Sequence, residues 1–200
     1  MAKKPHPLFA RLYDLFMVPQ ERFGLRRQRA RLCQGAEGRV LEVAVGTGLN
    51  LPHYRAASSI VGVDYDPGML RRAIPRTWEV KVPVLLAAAD AHALPFPDAS
   101  FDSIVIALSL CTIPNPTEAL EELNRVAVPG AGLHFLEHVR SGKPSWARLQ
   151  DKAMPAWERV SGGCRINQDT RELIDRSSWA IEGVWTSDGG GLIQGTARKL

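Results

Sequence analysis

Apolar residues near the start of the chain recur at steps of three and four positions. Between residues 8 and 18 they follow one face of a helix, which predicts an amphipathic helix there. Pro19 is expected to end this helix or to open the next one. A second helical stretch, residues 20–33, carries five arginines among its apolar positions. We therefore predict an N-terminal helical arm over residues 1–37.

Farther along, short apolar runs typical of buried strands alternate with amphipathic segments. This alternation predicts βαβ units and a largely parallel sheet. Two strands near the end of the chain would add antiparallel partners at one edge. The expected fold is α/β, with a mostly parallel seven-stranded sheet and helices on both faces. The predicted strands are 39–45, 59–64, 82–89, 101–110, 132–137, 180–186 and 192–198, and the predicted helices are 67–73, 116–126, 145–160 and 168–176.

The distribution of charge separates the arm from the rest of the chain. The 200 residues, the size of one domain, carry a net charge of +4. Residues 1–39 hold nine basic and three acidic residues, a net +6, and residues 40–200 hold sixteen basic and eighteen acidic ones, a net −2. This asymmetry disfavours a uniformly basic nucleic-acid-binding protein. We predict a basic arm, 1–37, ahead of a nearly neutral, slightly acidic domain, 38–200.

Several classes of protein are excluded by what the sequence lacks. The longest strongly apolar run, residues 104–113, is too short for a membrane-spanning helix, and the first residues do not resemble a secretory signal. Cys33, Cys111 and Cys164 are odd in number and far apart, so neither a disulfide framework nor a metal site is expected. A reducing cytoplasm is the expected compartment.

Candidate ligand-binding residues follow the first three strands of the predicted sheet. Gly46-Thr-Gly48 follows the first strand, Asp64 ends the second and Asp90 ends the third. Each alone is equally well read as a helix cap or a solvated loop residue, but in a parallel sheet such residues meet at one edge. There, glycines admit a ligand, and carboxylates can accept bonds from ribose hydroxyls and an adenine amine. A dinucleotide site would need a third glycine, where this chain has Leu51.

These segments resemble the class I S-adenosylmethionine-dependent methyltransferases, which are Rossmann-like. The resemblance rests on LEVAVGTG (41–48), VDYDPGML (63–70), ADAHALPF (89–96), FDSIVI (101–106) and residues 126–132. It implies S-adenosylmethionine as cofactor and methyl transfer as the reaction. The cofactor contacts implied by the resemblance are Glu42, Gly46 and Gly48 at the methionine end, Asp64 at the ribose, Tyr65, Met69, Asp90 and Ala91 at the adenine, and Leu108 at the floor.

Two departures from the family pattern stand out. Ala44-Val45 replaces the more usual glycine and its neighbour, so a tighter loop is expected there. Pro75 and Pro83 follow the second motif closely, so the intervening helix is expected to be truncated.

The acceptor side is less distinctive. Glu137 and His138 end the fifth strand near the expected position of the transferring methyl, and histidine is the usual base at neutral pH. A structural histidine bonded to a loop carbonyl is the competing interpretation. Ser109, Cys111 and Trp157 are further candidates for the acceptor pocket. For Cys111, a place in the hydrophobic core is favoured over a role as nucleophile. Tyr13 and Phe16 of the arm would form a lid.

The second half of the chain is similar to small thiol S-methyltransferases, through SLCTI (109–113), LEHV (136–139), PAW (155–157) and GGC (162–164). A thiol is therefore the first choice of acceptor. Phospholipid N-methylation and quinone-precursor C-methylation are the alternatives, and a non-catalytic cofactor-binding scaffold is the alternative of a different class. A nucleic acid is not expected, because the sequence lacks the base-holding motif after the fourth strand. The arm, residues 1–33, could meet an anionic membrane surface as a peripheral contact, and a monomer is favoured.

Overall fold

The computed structural model describes residues 7–187 and 190–200, with the backbone alone for 7–11 and 160. The first six residues of the predicted arm lie outside the described part. No helix among the described residues is long and apolar enough to cross a membrane. The helices are α1 (Pro7–Gln20), α2 (Arg26–Gln34), α3 (Pro67–Thr77), α4 (Pro116–Val126), α5 (Pro144–Val160) and α6 (Thr170–Asp175). The strands are β1 (Glu37–Val43), β2 (Ala56–Asp64), β3 (Val84–Ala88), β4 (Phe101–Ala107), β5 (Ala127–His138), β6 (Trp179–Thr186) and β7 (Leu192–Lys199).

The seven strands form one sheet in the order β3-β2-β1-β4-β5-β7-β6. Neighbouring strands are parallel except β7, which is antiparallel to both β5 and β6. The predicted fold class is confirmed, including the antiparallel strands at one edge. The chain order reverses between β1 and β4, and ligands of such sheets bind beyond the carboxyl ends of the strands at this point.

Apolar side chains alternate between the two faces of the sheet and build a core on each. On one face, Leu41 and Ile104 belong to a cluster that includes Leu120 and Leu123 of α4. Because each such side chain is almost fully buried, its burial contributes roughly 1.5–3 kcal/mol to stability. Both faces are therefore covered, as the sequence predicts.

The core on the opposite face includes side chains from the predicted arm. Val40 and Val105 of the sheet share a buried cluster with Leu32 and Cys33 of α2. Met17 of α1 belongs to the same cluster. The helices before β1 therefore help to close the main core, in addition to carrying the basic charge.

Proline ends neither of the helices that the sequence expected it to end. α1 continues through Pro19 to Gln20 and passes into a turn of π-helix, Glu21–Leu25, that ends at α2. Within that turn Gly24 has φ +119°, which glycine adopts without strain. α1 tolerates Pro19 because the unpaired carbonyl belongs to Leu15, whose side chain lies on the exposed side of the helix.

Other boundaries differ from the sequence prediction by a few residues. α3 extends through Pro75 to Thr77 and is not truncated before it. β3 ends at Ala88, so Asp90 lies in the loop that follows. β5 begins at Ala127, five residues before the predicted strand 132–137, and includes Pro129 and Gly130 at an irregularity where the pairing with β4 shifts register.

Candidate active site

A cavity of about 450 Å³ opens at the carboxyl ends of β1, β2 and β4. Its volume falls within the roughly 300–1,000 Å³ of small-molecule sites. Most of the predicted site residues line it, namely Tyr13, Phe16, Gly46, Asp64, Tyr65, Met69, Asp90, Ala91, Leu108, Ser109, His138 and Trp157. Four others, Glu42, Gly48, Cys111 and Glu137, are not among the residues that line the cavity in the described part of the chain.

Asp64 is the buried carboxylate of the cavity wall. One oxygen accepts the backbone N–H of Gly46 at 2.9 Å, and the other accepts that of Asp66 at 2.9 Å. Burial raises its pKa to about 6, against the lowering effect of these bonds. The backbone N–H of Tyr65 also bonds to this carboxylate, which offers about four lone-pair sites, so Asp64 can still accept a bond from a sugar hydroxyl at the cavity.

Two left-handed residues mark the strand ends at the centre of the site. Ala44 follows β1 with φ +53°, and Leu108 follows β4 with φ +56°. Both line the cavity. Non-glycine residues in this conformation carry strain, and such residues cluster at ligand sites. The glycine expected by the family pattern is therefore replaced by an alanine that adopts a glycine-like backbone.

Asp90 lies at the rim of the cavity and is joined to His92. The Asp90 carboxylate accepts the backbone N–H of His92 at 3.0 Å and contacts the ring Nδ1 at 2.6 Å. These contacts lower the pKa of Asp90. The other ring nitrogen contacts the carbonyl of Pro114 at 2.5 Å. Although burial lowers the pKa of His92, its contacts with two acceptors raise it on balance.

Glu42 and Gly48, predicted at the methionine end of the cofactor, are not among the residues that line the cavity in the described part of the chain, and their contacts are with the protein. The Glu42 carboxylate accepts bonds from Asn50 at 2.9 Å and from the Tyr54 hydroxyl at 2.8 Å. Burial raises its pKa to about 7. Gly48 has φ +82°, and a Cβ there would lie 3.2 Å from the Cβ of Ala73 in α3. Gly48 therefore lets the helix approach the loop.

Glu137 also differs in position from the prediction that it faces the acceptor. Its buried carboxylate accepts the backbone N–H groups of Ser109, Leu110 and Cys111 at 2.9, 3.0 and 3.3 Å. Burial raises its pKa to about 7. Because these lone pairs are directed at the loop after β4, Glu137 fixes that loop, and His138 is the neighbour that reaches the cavity.

Cys111, His138 and Cys164 form a cluster that the sequence reasoning missed, and we call it the thiol–imidazole cluster. The two sulfurs lie 3.3 Å apart, and the Nδ1 of His138 lies 3.8 Å from Cys111 and 3.5 Å from Cys164. Contact with Cys111 lowers the pKa of Cys164, and the same contact raises the pKa of Cys111. No spacing rule joins residues 53 positions apart, so only the fold reveals the cluster.

The first helix closes one side of the cavity. Tyr13 and Phe16 line it, and the Phe16 ring lies 6.1 Å from that of Trp157. Asp14 holds the helix in place, because its carboxylate accepts the Thr47 hydroxyl at 2.6 Å and pairs with Arg76 of α3 at 3.0 Å. α1 is thus bonded directly to the loop Gly46-Thr-Gly48 that follows β1.

Comparison with known proteins identifies the family to which the chain belongs. A methyltransferase domain model matches residues 41–135. The phosphatidylethanolamine N-methyltransferase of Cereibacter sphaeroides is 32% identical over 170 residues, which are 80% of this chain and 83% of the relative. The chain belongs to the S-adenosylmethionine-dependent methyltransferases. The human thiol S-methyltransferase TMT1A is 27% identical to this methyltransferase over 90% of the chain and 69% of the relative.

Solved structures agree on the fold of this methyltransferase. One chain of the complex between the Haloferax volcanii Trm112 methyltransferase activator and a methyltransferase superposes with a TM-score of 0.76, covering 99% of both chains at 15% identity. The predictions of family, enzyme class and S-adenosylmethionine as methyl donor are confirmed. The names of these relatives give different methyl acceptors. Membership of the family therefore identifies the methyl donor but not the acceptor.

The cavity of this methyltransferase fits that donor. The lone pair left on Asp64 suits a ribose hydroxyl, and the apolar Met69 and Leu108 suit the adenine and its surroundings. In addition, the Ser109 hydroxyl is buried at the cavity with no hydrogen-bond partner among the described residues. A buried polar atom without a partner costs roughly 1–3 kcal/mol, which a bound polar group would recover.

Proposed function

We propose that this methyltransferase methylates the sulfur of a small or lipid-like thiol. In this proposal residues 1–37 form an N-terminal arm whose first helix is the lid, and residues 38–200 form the methyltransferase domain. When bound, S-adenosylmethionine supplies an electrophilic methyl group. Asp64 holds the ribose, Asp90 and Ala91 contact the adenine beside Tyr65, and Gly46 borders the methionine end.

The observation that carries the choice of a thiol is the kind of base at the cavity. His138 lines the cavity, whereas the carboxylate of Glu137 is committed to three backbone N–H groups. A thiol has a pKa of about 8.5 and an alkylammonium one of about 10.4, so a neutral imidazole takes a proton from a thiol more readily than from an alkylammonium. His138 is thus the proton acceptor, and Ser109, Phe16 and Trp157 surround the acceptor.

Phospholipid N-methylation is the second candidate, favoured by the surface of the N-terminal helices. Leu15 is 69% exposed and Phe23 is 91% exposed. Exposed arginines, Arg22 and Arg26 among them, accompany these apolar groups. Apolar side chains flanked by arginines suit a peripheral contact with anionic lipid.

Calorimetry with S-adenosylhomocysteine tests the donor site. Asp64→Asn removes the charge that receives the ribose hydroxyls, so we expect at least a tenfold loss of affinity, corresponding to about 1.4 kcal/mol. Asp98→Asn, a change at a carboxylate that is 79% exposed, is the matched control and should bind normally. If the two variants bound S-adenosylhomocysteine with equal affinity, Asp64 would not contribute to donor binding.

A radiolabelled methyl-transfer panel tests the acceptor. It compares alkyl thiols, phosphatidylethanolamine vesicles and quinone precursors under identical conditions. We expect label in the thiols, and a rate that falls in His138→Ala while S-adenosylhomocysteine still binds. If only the vesicles were labelled, the proposed acceptor would be the phospholipid and not a thiol. Vesicle flotation of the full chain and of Phe23→Ser separates surface attachment from catalysis.

A further inference from the structure

The three donors of the thiol–imidazole cluster have the chemistry and the spacing of a zinc site. Two thiols and one imidazole nitrogen converge so that all three atoms lie within 4.8 Å of one another. Thiolate and imidazole are the ligands that Zn²⁺ prefers in proteins. Cys111 and Cys164 are buried, and His138 is half-buried.

The distances agree with tetrahedral coordination. Zn–S bonds of about 2.3 Å and Zn–N bonds of about 2.0–2.1 Å imply edges of about 3.8 Å between two sulfurs and about 3.6 Å between sulfur and nitrogen. The observed edges are 3.3 Å between the sulfurs, and 3.8 and 3.5 Å from the sulfurs to Nδ1. Movements of a few tenths of an ångström would complete the geometry. A disulfide, by contrast, needs the sulfurs at about 2.05 Å.

The loops that carry the donors are fixed to each other. The Glu137 carboxylate holds the N–H of Cys111, and the Arg165 guanidinium donates to the carbonyl of Cys111 at 3.2 Å. The backbone N–H of Arg165, next to Cys164, donates to the same carbonyl at 2.8 Å. The N–H of Cys164 donates to the Ser161 hydroxyl at 3.2 Å. Such supporting bonds hold ligands in the orientation that a metal requires.

We infer that Cys111, His138 and Cys164 bind one Zn²⁺, with the fourth coordination position open to the cavity. His138 and Cys164 line the cavity, and the fully buried Cys111 contacts both of them, so a metal held by the three donors would lie at the cavity. Three protein ligands with one open position are the arrangement of catalytic zinc sites. A divalent cation would also offset the charge of the two thiolates that it binds, of which Cys111 lies next to the buried carboxylate of Glu137.

The role of the site in the reaction rests on the proposed function. In the zinc-loaded protein Nδ1 of His138 coordinates the metal, so His138 no longer takes the proton of the acceptor. An acceptor thiol that takes the fourth position would release its S–H proton to water or to a buffer base and bind as a thiolate. Its sulfur lone pair forms the new S–C bond as the donor's sulfonium C–S bond breaks, and that electron pair stays on the departing thioether. No oxidant or reductant is needed. The metal thus selects sulfur acceptors over amines by its affinity for thiolate.

Metal content tests the site without reference to activity. The full chain is reduced, stripped with a chelator and dialysed against zinc sulfate, and bound zinc is measured by mass spectrometry. We expect one zinc per chain, and affinity weakened at least roughly tenfold in Cys111→Ser and Cys164→Ser. Cys33→Ser changes the third cysteine, which is buried elsewhere, and should keep the metal. Cobalt loading of the unmutated protein gives a thiolate-to-metal absorption band that does not depend on any variant folding.

The outcomes separate the two proposals. No zinc and no thiolate-to-cobalt band in the reduced protein would overturn the site, as would a Cys111–Cys164 disulfide whose reduction restores no metal binding. One zinc per chain, with a cobalt band that shifts when an alkyl thiol is added, supports the site and its open position. If that shift occurs while the methyl-transfer panel labels no thiol, the zinc site stands and the proposed function fails. If metal-free protein methylates thiols at the full rate, the function stands and the metal's role in it fails.

Discussion

Glu42 gives the clearest test of the electrostatics beside the cavity. It is 1% exposed, and burial raises its pKa from 4.5 to about 7. The folded protein therefore binds the Glu42 proton more tightly than the unfolded chain does. This contribution to stability is fully present below about pH 4.5 and is lost as the pH rises through about 7.

The size of the effect follows from the two pKa values. A pKa of about 7 in the folded state and 4.5 in the unfolded state makes the free energy of unfolding fall by about 2–3 kcal/mol between pH 5 and pH 8. Glu42→Gln does not titrate, so this part of the pH dependence disappears. The variant also loses a fixed part of its free energy of unfolding, because its amide cannot accept the hydrogen bonds of both Asn50 and Tyr54. That loss is independent of pH.

Urea unfolding at pH 5, 6, 7 and 8, followed by circular dichroism, measures the effect. The relevant quantity is the change with pH of the stability difference between the unmutated protein and Glu42→Gln. This difference cancels the contributions of other titrating groups, such as Asp64 and Glu137. Glu121→Gln, a change at an exposed position of α4, is the matched control and should run parallel to the unmutated protein. A parallel course for Glu42→Gln as well would refute the reasoning.

Three further outcomes are expected. Gly48→Ala should destabilise the fold by about 1–3 kcal/mol in thermal unfolding, because the new Cβ would lie 2.9 Å from the side chain of Leu51. Gly46→Ala should destabilise it less, because a Cβ there lies no closer than 3.9 Å to another atom. Equal losses of stability in the two variants would contradict this packing argument. Asp14→Ala should speed hydrogen exchange in the first helix and weaken S-adenosylhomocysteine binding, and unchanged exchange would show that the helix is held by other contacts. His92 should titrate above 6.5 by NMR, and a lower value would contradict its contacts with two acceptors.

The order of strands and helices followed well from the sequence because it depends on local alternation. β1, β2 and α4 have continuous patterns and strong boundary residues, and α4 matches its predicted bounds of 116–126. Proline positions were less informative. Pro19 and Pro75 remove one helical hydrogen bond each, but whether that ends a helix depends on solvent and neighbours that a local pattern does not contain.

The donor side of the site was more predictable than the acceptor side for a related reason. Asp64 and Gly46 lie at strand ends, which the topology gathers at one edge of the sheet. Glu137 could not be distinguished from a catalytic base, because its role depends on three N–H groups of another segment. Cys164 comes to the site from the loop after α5, and its approach to Cys111 is set by tertiary packing.

The turn at Gly24 gives the N-terminal segment two different mechanical roles. On one side of it, α2 is part of the core, and on the other, α1 contributes Tyr13, Phe16 and the Asp14 tether to the cavity wall. α1 is also part of that core, because Met17 is 3% exposed and packs in the cluster that α2 shares with the sheet. A movement of α1 large enough to open the cavity is therefore expected to expose an apolar side chain and to lower the stability of that core.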